Sequence, residues 1–523
     1  MAAVEPTVAV EVELSGAGAG WTAITADVLG RVPLTATYGI QSGGGPADRC
    51  AQPGSLSLAL NNAATNSGAA QGYYSPGHAN ARSGFDVGIA IRLSLTYSST
   101  TYIKWVGRIA SLQVQPGSTG DQAVLVVAHD VLDACLRTHL RRLAVQESKR
   151  GDQVFAAVVA NMPEQPAATS IKGTGRETYV LACDAASSEE GVSVLEELQR
   201  LALSEAGFVY PVGSTTAANA QTLVYESRTD RAKANTNLTT FAEGDLLGME
   251  IERSREAIIN RVLVRSHPRR KDAAVVVLYT QHDDEVGAGV IGLGPGDSQT
   301  IVCPYIDPTT KARCAGVEMV TPAATTDYTA NASDANDGTD LTSSLGVAVT
   351  FGGTAAEVVL TNNHATTALY VHKLQLRGKG VHDEQATVSE SRNTTSETTY
   401  GPRTLSYDAP YQADPAIAQG FADHFRSTYD STENNVRSIS FLANRSAALM
   451  TAALAREPGD RIGLSESVTA VDTGYHIQSV SLEITPKALV RCTFGLTPAS
   501  RIAYWFIGTA GASEVGETTR VGF

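Results

Sequence analysis

The run QHDDEV at 281–286 holds the densest group of potential metal ligands in the sequence. Imidazole and carboxylate groups bind divalent cations, and this run places four of them in consecutive positions: His282, Asp283, Asp284 and Glu285. In an extended chain, consecutive side chains point to opposite faces, so at most two of the four can converge on one ion. The run is therefore predicted to be a charged loop end rather than a metal centre.

The glycines of GAGVIG at 287–292 match the GxGxxG pattern of dinucleotide-binding proteins. That pattern holds a pyrophosphate only where a helix begins directly after it, because the free N–H groups of the helix N-terminus bind the phosphate oxygens. The residues that follow, LGPGDSQ at 293–299, are unsuited to opening a helix. We therefore predict no nucleotide site here.

The stretch DYTANASDANDGTD at 327–340 is rich in the oxygen ligands that calcium prefers. It lacks the bidentate glutamate and the ligand spacing of an EF-hand loop. A series of Asx turns is the predicted structure, with a calcium site as the alternative.

The six cysteines lie at 50, 135, 183, 303, 314 and 492, and no CxxC pair occurs. Buried, reduced thiols are the prediction, and only Cys303 and Cys314 are close enough in sequence to suggest a disulfide or a shared metal. The sequence has no GxSxG, HExxH or P-loop motif, and its ten histidines have no serine or cysteine partner at a recognised spacing. We predict no catalytic, cofactor-binding or metal-binding residues, no cofactor, and no enzymatic activity.

Residues 7–129 read as strands and turns. The segment 89–97 alternates apolar and polar side chains, which is the period of a half-buried strand. In TYIKWVGRIASLQV at 101–114, the apolar side chains switch from odd-numbered to even-numbered positions near Ala110 and Ser111. Such a switch predicts a β-bulge. The preceding loop at 72–84 is rich in glycine and tyrosine and is interpreted as a shaped connector whose tyrosines lie against a neighbouring molecule.

Helices are predicted in the middle of the chain. Asp130 is a candidate N-cap for a helix over 131–143, a second helix is expected at about 152–162, and a third is expected to begin at the capping-box pattern of 187–190. Short strands follow at FVYPV and TLVYE. From 286 to 385 the composition shifts to Thr, Ala, Asn and Gly with regular short strands, which indicates a β-sandwich inserted into a larger mixed domain.

The formal net charge of −14 argues against a surface that holds nucleic acid, because such surfaces cluster Lys and Arg. The densest basic run, HPRRKD at 267–272, is predicted to be a solvated turn between two strands. The N-terminal residues lack the basic and apolar regions of a secretion signal, and no apolar stretch approaches the length of a membrane span.

Blocks of sequence spread over most of the chain resemble the tail-tip hub proteins of long-tailed bacteriophages, often filed as minor tail proteins. The blocks are WTAITAD at 21–27, TYGI at 37–40, and the segments 45–60, 72–97, 105–109, 259–266, 294–301, 360–381, 400–423, 458–466 and 504–523. Such hubs resemble the baseplate hub of contractile phages. The resemblance implies a mainly β fold with α+β parts, two hub-type β-barrels with intervening helices and an inserted β-sandwich.

With that resemblance, the domains are expected as a first barrel at 1–129, a helical and mixed α/β segment at 130–245, a second barrel or mixed hub domain at 246–285 and 386–500, the sandwich at 286–385, and a C-terminal extension at 501–523. The resemblance implies a structural, non-enzymatic protein of the virion tail tip that is assembled in the host cytoplasm. It implies a homotrimeric ring that caps the tail tube. The implied partners are the distal tail protein or tube ring, the tape measure protein, and tip or receptor-binding fibre proteins.

The implied ring also passes DNA without specific binding, and an acidic lumen that repels phosphate suits that role. Two other functions stay open from the sequence. One is a glycan-binding adhesin that uses the 286–385 sandwich, because sandwiches serve many functions. The other is a tail-associated hydrolase that opens the host cell wall.

Overall fold

The computed structural model describes residues 4–14, 20–41, 45–115, 122–141, 143–184, 191–215, 221–233, 236–281, 290–431, 435–485 and 488–499, together with the backbone of two strands at 503–505 and 519–521. The protein is mostly strand, with seven α-helices in this part of the chain. The predicted fold class, mainly β with α+β parts, is confirmed.

The N-terminal part folds into seven strands: β1 (Thr7–Val12), β2 (Thr22–Ala23), β3 (Leu34–Gly39), β4 (Ser55–Asn61), β5 (Ala90–Tyr97), β6 (Thr100–Val114) and β7 (Ala123–His129). The predicted bulge is confirmed, because the register between β6 and β7 shifts between Ile109 and Ser111. The predicted alternation of β5 is also confirmed, since Ile91, Leu93 and Leu95 are fully buried.

The middle part alternates strands and helices: α1 (Val131–Arg137), β8 (His139–Leu140), β9 (Gln146–Arg150), α2 (Gly151–Ala160), β10 (Ala168–Lys172), β11 (Thr178–Ala182), β12 (Val192–Ser193), α3 (Val194–Glu205), β13 (Phe208–Val212), β14 (Thr222–Glu226), α4 (Arg228–Lys233) and β15 (Thr240–Ala242). The core of this part contains apolar side chains from α1, α2 and α3.

Two helix starts test the capping predictions. Asp130 is the N-cap of α1 as predicted, accepting a hydrogen bond from the N–H of Leu132 at 3.0 Å. The helix is shorter than predicted, because the chain becomes extended at Thr138 and enters β8. The predicted capping box at 187–190 lies outside the described residues, and the N-cap of α3 is Ser193, which accepts from the N–H of Glu196 at 3.1 Å.

The next part contains eleven strands: β16 (Gly248–Glu252), β17 (Arg261–Ser266), β18 (Arg269–Lys271), β19 (Val276–Gln281), β20 (Ile291–Leu293), β21 (Ser298–Pro304), β22 (Ala315–Val320), β23 (Tyr328–Asn331), β24 (Leu345–Phe351), β25 (Ala355–Asn362) and β26 (Leu369–Asp383). The long strand β26 pairs with β18, β19, β20, β22 and β23, and a second sheet has the order β21-β25-β24.

These two sheets share one apolar core, which makes them a β-sandwich. Leu278, Val371 and Leu374 of the first sheet belong to the same buried cluster as Val358 and Leu360 of the second. The sandwich begins before position 286, because β18 and β19 pair with β26.

The C-terminal part contains β27 (Thr387–Arg392), α5 (Thr394–Tyr400), β28 (Thr404–Ala409), α6 (Pro415–Tyr429), β29 (Asn435–Leu442), α7 (Ala447–Ala455), β30 (Arg461–Glu466), β31 (Val471–Ile484), β32 (Val490–Pro498), β33 (Ala503–Trp505) and β34 (Thr519–Val521). The three-stranded sheet β27-β17-β28 is covered by α6, whose Phe421 and Phe425 pack on Val262, Val264 and Tyr407.

The largest sheet has thirteen strands and unites the two ends of the chain. Its main path is β16-β29-β32-β31-β3-β4-β7-β6-β5-β1-β2, and the join is the antiparallel pair β3–β31, from Leu34 opposite Ile484 to Gly39 opposite Ser479. No sheet closes on itself in the described ranges. Most of the strands assigned to the two barrels therefore belong to one open sheet with a common core. The exceptions are β17, β27 and β28, which form a separate sheet, and β18 and β19, which pair with β26 in the sandwich.

In the loop at 72–84, Tyr74 packs inside the protein, whereas residues 76–80 are exposed. Tyr74 is fully buried, its hydroxyl donates to the carboxylate of Asp27, and its ring meets Phe85 edge to face at 4.9 Å. Asp27 also accepts from the N–H of Ser67 at 2.7 Å. The connector interpretation agrees with this structure, but the placement of Tyr74 against a neighbouring molecule was wrong, because apolar strands of the same sheet already enclose the ring.

We expect Tyr74→Phe to lower the free energy of unfolding by about 1–2 kcal/mol, because Asp27 stays buried and loses a donor. Urea denaturation of the full chain measures the change. Tyr73→Phe is the matched control, since Tyr73 is only partly buried beside the same core. Equal effects of the two variants would show that the Tyr74 hydroxyl contributes nothing.

Candidate functional site: a buried charged junction

Glu457 lies where four segments of the fold meet. It sits in the turn between α7 and β30 and pairs with Lys104 of β6, whose side chain is fully buried. The hydroxyl of Tyr38 in β3 donates to Glu457 Oε2 at 2.8 Å, and the N–H of Gly213, just after β13, donates to the same oxygen at 3.0 Å. We call these four residues the Glu457 junction.

Lys104 completes its hydrogen bonding with backbone groups. Its Nζ donates to the carbonyl oxygens of Leu454 at 3.0 Å and Arg456 at 3.4 Å. A buried ammonium group needs such partners, because desolvation of an unpaired charge costs several kcal/mol. The junction therefore fixes the end of α7 against the N-terminal strands.

A second polar cluster lies beside the same turn. Glu226 accepts from the hydroxyl of Tyr210 at 2.7 Å and pairs with Arg231 at 3.0 Å, while Lys172 donates to Tyr210 at 3.3 Å. Burial raises the pKa of Glu226, but Arg231 and Lys172 outweigh burial, so the net shift is downward and the carboxylate stays charged. Burial and Arg231 lower the pKa of His476 to about 4.

A further buried carboxyl group, Glu205, lies at the end of α3. It accepts from the N–H of Arg176 at 3.1 Å and from the hydroxyl of Tyr179 at 3.0 Å. Burial raises its pKa from 4.5 to about 7 against the opposing charge of Arg228. The folded protein therefore keeps this proton over a pH range in which the unfolded chain releases it.

We expect the stability of the Glu205→Gln variant relative to the wild-type protein to increase as pH rises. Between pH 4.5 and 7 the unfolded state loses the Glu205 proton before the folded state does, so the wild-type protein loses stability over this range. The unfolding free energy of the variant relative to wild type should rise by about 2–3 kcal/mol between pH 5 and 8. Urea denaturation at both pH values measures it, with the exposed Glu196→Gln of the same helix as control. A difference that does not change with pH would contradict the assignment.

The two motifs that the sequence analysis rejected as metal and nucleotide sites lie largely outside the described residues. His282, Asp283, Asp284 and Glu285 lie outside the described residues, as do positions 287–289 of GAGVIG. The residues that follow those glycines form the strand β20 and a turn rather than a helix, as the sequence indicated.

The stretch at 327–340 forms the predicted Asx turns. Asp327 pairs with the guanidinium of Arg377 through both oxygens, at 2.6 and 2.8 Å. Asn331 accepts from the N–H of Ser333 at 2.9 Å, and Asp340 accepts from the N–H of Thr342 at 2.8 Å. These side-chain oxygens therefore serve the turns and one salt bridge.

All six cysteines are buried and none forms a disulfide, Cys303 and Cys314 included. Burial raises the pKa of each of these two thiols to about 11. In the part of the chain that the structure describes, no three His, Cys, Asp or Glu side chains come together as a metal site.

The prediction of a solvated turn at 267–272 was wrong. Arg269 lies in β18 with its side chain only 6% exposed, and it pairs with Asp184 at 2.7 Å and Asp383 at 2.8 Å. Lys271 pairs with both Glu147 and Glu318. The basic run therefore links the sandwich to the middle part of the chain through ion pairs.

Sequence reasoning missed the Glu457 junction. One signal was present: Lys104 stands between the apolar residues Ile103 and Trp105 in a strand, and all three are buried. A charged side chain in such a run predicts a buried partner. Nothing local identified that partner, because Glu457 lies in a turn near the other end of the chain.

The fold is thus a mainly β framework whose buried charges join distant segments. Among the helices that the structure describes, none is long and apolar enough to cross a membrane. No protein-family model matches the sequence, and no curated protein matches it.

Solved structures with a similar course of the chain include three tail proteins. The 43 kDa tail protein of prophage MuSo2 from Shewanella oneidensis is 9% identical, with a TM-score of 0.47, 94% of this chain covered and 99% of that chain. The tail protein from Neisseria meningitidis is 10% identical, with a TM-score of 0.45 and coverages of 94% and 96%. Prophage tail protein gp18 from Listeria monocytogenes is 8% identical, with a TM-score of 0.41 and the same coverages.

Proposed function

We propose that this protein is a structural component of a bacteriophage tail tip, a trimeric hub ring that caps the tail tube. The observation that carries the proposal is where the blocks of hub resemblance fall in the fold. The blocks at 21–27, 37–40, 45–60, 72–97, 105–109 and 458–466 supply strands and loops of the thirteen-stranded sheet, and those at 259–266 and 400–423 supply β17, β28 and α6. Two further blocks, 294–301 and 360–381, lie in the sandwich, so the resemblance extends over both the framework of the fold and the sandwich.

The Glu457 junction suits a structural role in such a ring. It holds β3, β6, the end of β13 and the turn after α7 in one fixed arrangement. A ring subunit must keep its shape while a tube above and fibres below exert force on it. In this proposal the distal tail protein, the tape measure protein and the tip fibres are its partners, and DNA passes through the ring without specific binding.

The assembly state of the recombinant full-length protein tests the proposal. Light scattering should give three times the chain mass of 54.8 kDa, and negative-stain images of the same fraction should show a ring with a central hole. A monomer at every concentration, without rings, would contradict the hub. Clearing of host cell walls in a zymogram would contradict the proposed absence of catalysis.

A further inference from the structure

The turn between β30 and β31 presents an exposed valine on a fixed backbone. Val468 is 85% exposed, more than any other large apolar side chain that the structure describes. The carboxylate of Glu466 accepts from the N–H of Val468 at 2.9 Å and from the N–H of Thr469 at 2.7 Å. The hydroxyl of Ser467 donates to Glu243 at 2.9 Å, which ties the turn to the segment after β15. We call this turn, residues 467–470, the Val468 tip.

A single exposed valine is ordinary on a protein surface, because apolar atoms supply much of that surface. Val468 differs because hydrogen bonds already hold the backbone of its turn. Little conformational entropy is then lost when a partner encloses the side chain. The tip is therefore suited to insertion into an apolar pocket.

A small apolar pocket lies at the far end of β31. Its volume is about 290 Å³, just below the range of about 300–1,000 Å³ that is typical of small-molecule sites. None of the described residues that line it is charged, and the hydroxyl of Thr25 is already hydrogen-bonded to the main chain of Val10. Aliphatic side chains supply most of the lining, among them Val8, Val10, Val28, Leu29, Leu34 and Ile484. This β1–β31 pocket therefore selects an aliphatic side chain.

The tip and the pocket are too far apart to meet within one chain. β31 runs from Val471, next to the tip, to Ile484 on the lining of the pocket. At about 3.3 Å per residue, its 14 residues span roughly 40 Å. The exposed valine at one end of the strand can therefore reach such a pocket only in another copy of the chain.

The charges beside the two features are opposite in sign. The segments 240–252 and 462–475 around the tip contain aspartate and glutamate but no lysine or arginine. Glu243 and Asp472 are exposed there. At the pocket, the exposed Arg31 stands between the lining residues Gly30 and Val32. Opposite charges on two surfaces favour their contact and fix its orientation.

We propose that the Val468 tip of one subunit inserts into the β1–β31 pocket of a second copy of the chain. The contact is heterologous, because it joins two different surfaces, and contacts of this kind repeat around a closed ring. Arg31 of one subunit then lies beside the acidic residues of the next. This inference rests on the proposed hub ring and adds which surfaces join its subunits.

Disulfide trapping in the full-length protein tests the contact. All six native cysteines are buried, so cysteines introduced at exposed positions should react selectively. Co-expressed Val468→Cys and Val32→Cys chains should give a covalent two-chain product on mild oxidation, and neither variant alone should do so. Val388→Cys is the matched control for Val468→Cys, because Val388 is an exposed valine of β27, in a different sheet. Together with Val32→Cys it should give no such product.

A charge at the tip should weaken the ring. Val468→Asp should raise the concentration needed for trimer formation at least tenfold in analytical ultracentrifugation, because a carboxylate would enter an apolar pocket. The melting temperature of the isolated chain should not fall, since the side chain is exposed. Val388→Asp should leave the association unchanged.

The outcomes separate this contact from the proposed hub. A trimer that forms equally well with Val468→Asp, or that gives no disulfide between positions 468 and 32, would overturn the contact and leave the ring standing. A chain that stays monomeric at every concentration would overturn both. A trapped assembly with the mass of two chains would support the contact and contradict a ring of three subunits.

Discussion

Replacing Lys104 by methionine is expected to lower the free energy of unfolding by about 3–5 kcal/mol. The side chain is fully buried, and its loss leaves Glu457 without a counter-charge at the meeting point of β3, β6 and the turn after α7. The carbonyl oxygens of Leu454 and Arg456 lose their donor at the same time. Chemical denaturation followed by circular dichroism measures the effect.

Arg108→Met is the matched control for this prediction. Arg108 lies on the same strand and pairs with Glu164, but both side chains are about half exposed, so the expected cost is only about 0–1 kcal/mol. The double variant Lys104→Met with Glu457→Gln should cost less than the sum of the single changes, because the neutral amide no longer needs the ammonium group. Equal losses for Lys104→Met and Arg108→Met would contradict the role of the junction.

Gly459→Ala is expected to lower the free energy of unfolding by about 2–5 kcal/mol. Gly459 has a φ of +90°, which L-residues with a side chain rarely adopt. A Cβ at this position would lie 2.1 Å from the hydroxyl oxygen of Tyr210, which is held by Glu226 and cannot move away freely. Thermal and urea unfolding of the full chain check the prediction.

Gly296→Ala separates the two causes of that loss. Gly296 has a similar φ of +79°, but a Cβ there would meet no atom within 4 Å, so only the backbone cost of about 1 kcal/mol is expected. In a Tyr210→Phe background, Gly459→Ala should cost less than it does in the wild-type protein, since the nearest clashing atom is removed. If Gly459→Ala and Gly296→Ala lower the free energy of unfolding by the same amount, the contact with Tyr210 does not contribute to the loss.

Patterns within one segment of sequence predicted their structures well. The switch of apolar side chains from odd to even positions near Ala110 predicted the bulge. Asp130, placed before a segment with helical periodicity, predicted the N-cap of α1. The regular strands after 286 gave most of the sandwich. Each of these features depends on the period of side chains along one element or on a hydrogen bond to a near neighbour.

Features that depend on residues distant in sequence could not be predicted from local sequence patterns. HPRRKD has the composition of a solvated turn, and only the distant carboxylates of Asp184 and Asp383 explain why Arg269 is buried. Glu457 sits in a sequence that reads as an ordinary turn, although it pairs with Lys104 of β6. The pairing of β3 with β31 makes one sheet from strands that the hub resemblance assigned to two barrels. Pairing across such separations leaves no periodic trace in the sequence.

The β3–β31 pair also sets the order in which the protein can mature during its synthesis. One edge of β3 must wait, on the order of tens of seconds at ribosomal speeds, until β31 has left the ribosome. During that time the nascent chain presents an unpaired apolar strand edge, which is a site for aggregation. A pairing across so much sequence forms late in synthesis, so the yield of native protein depends on how the chain is made as well as on how stable it is.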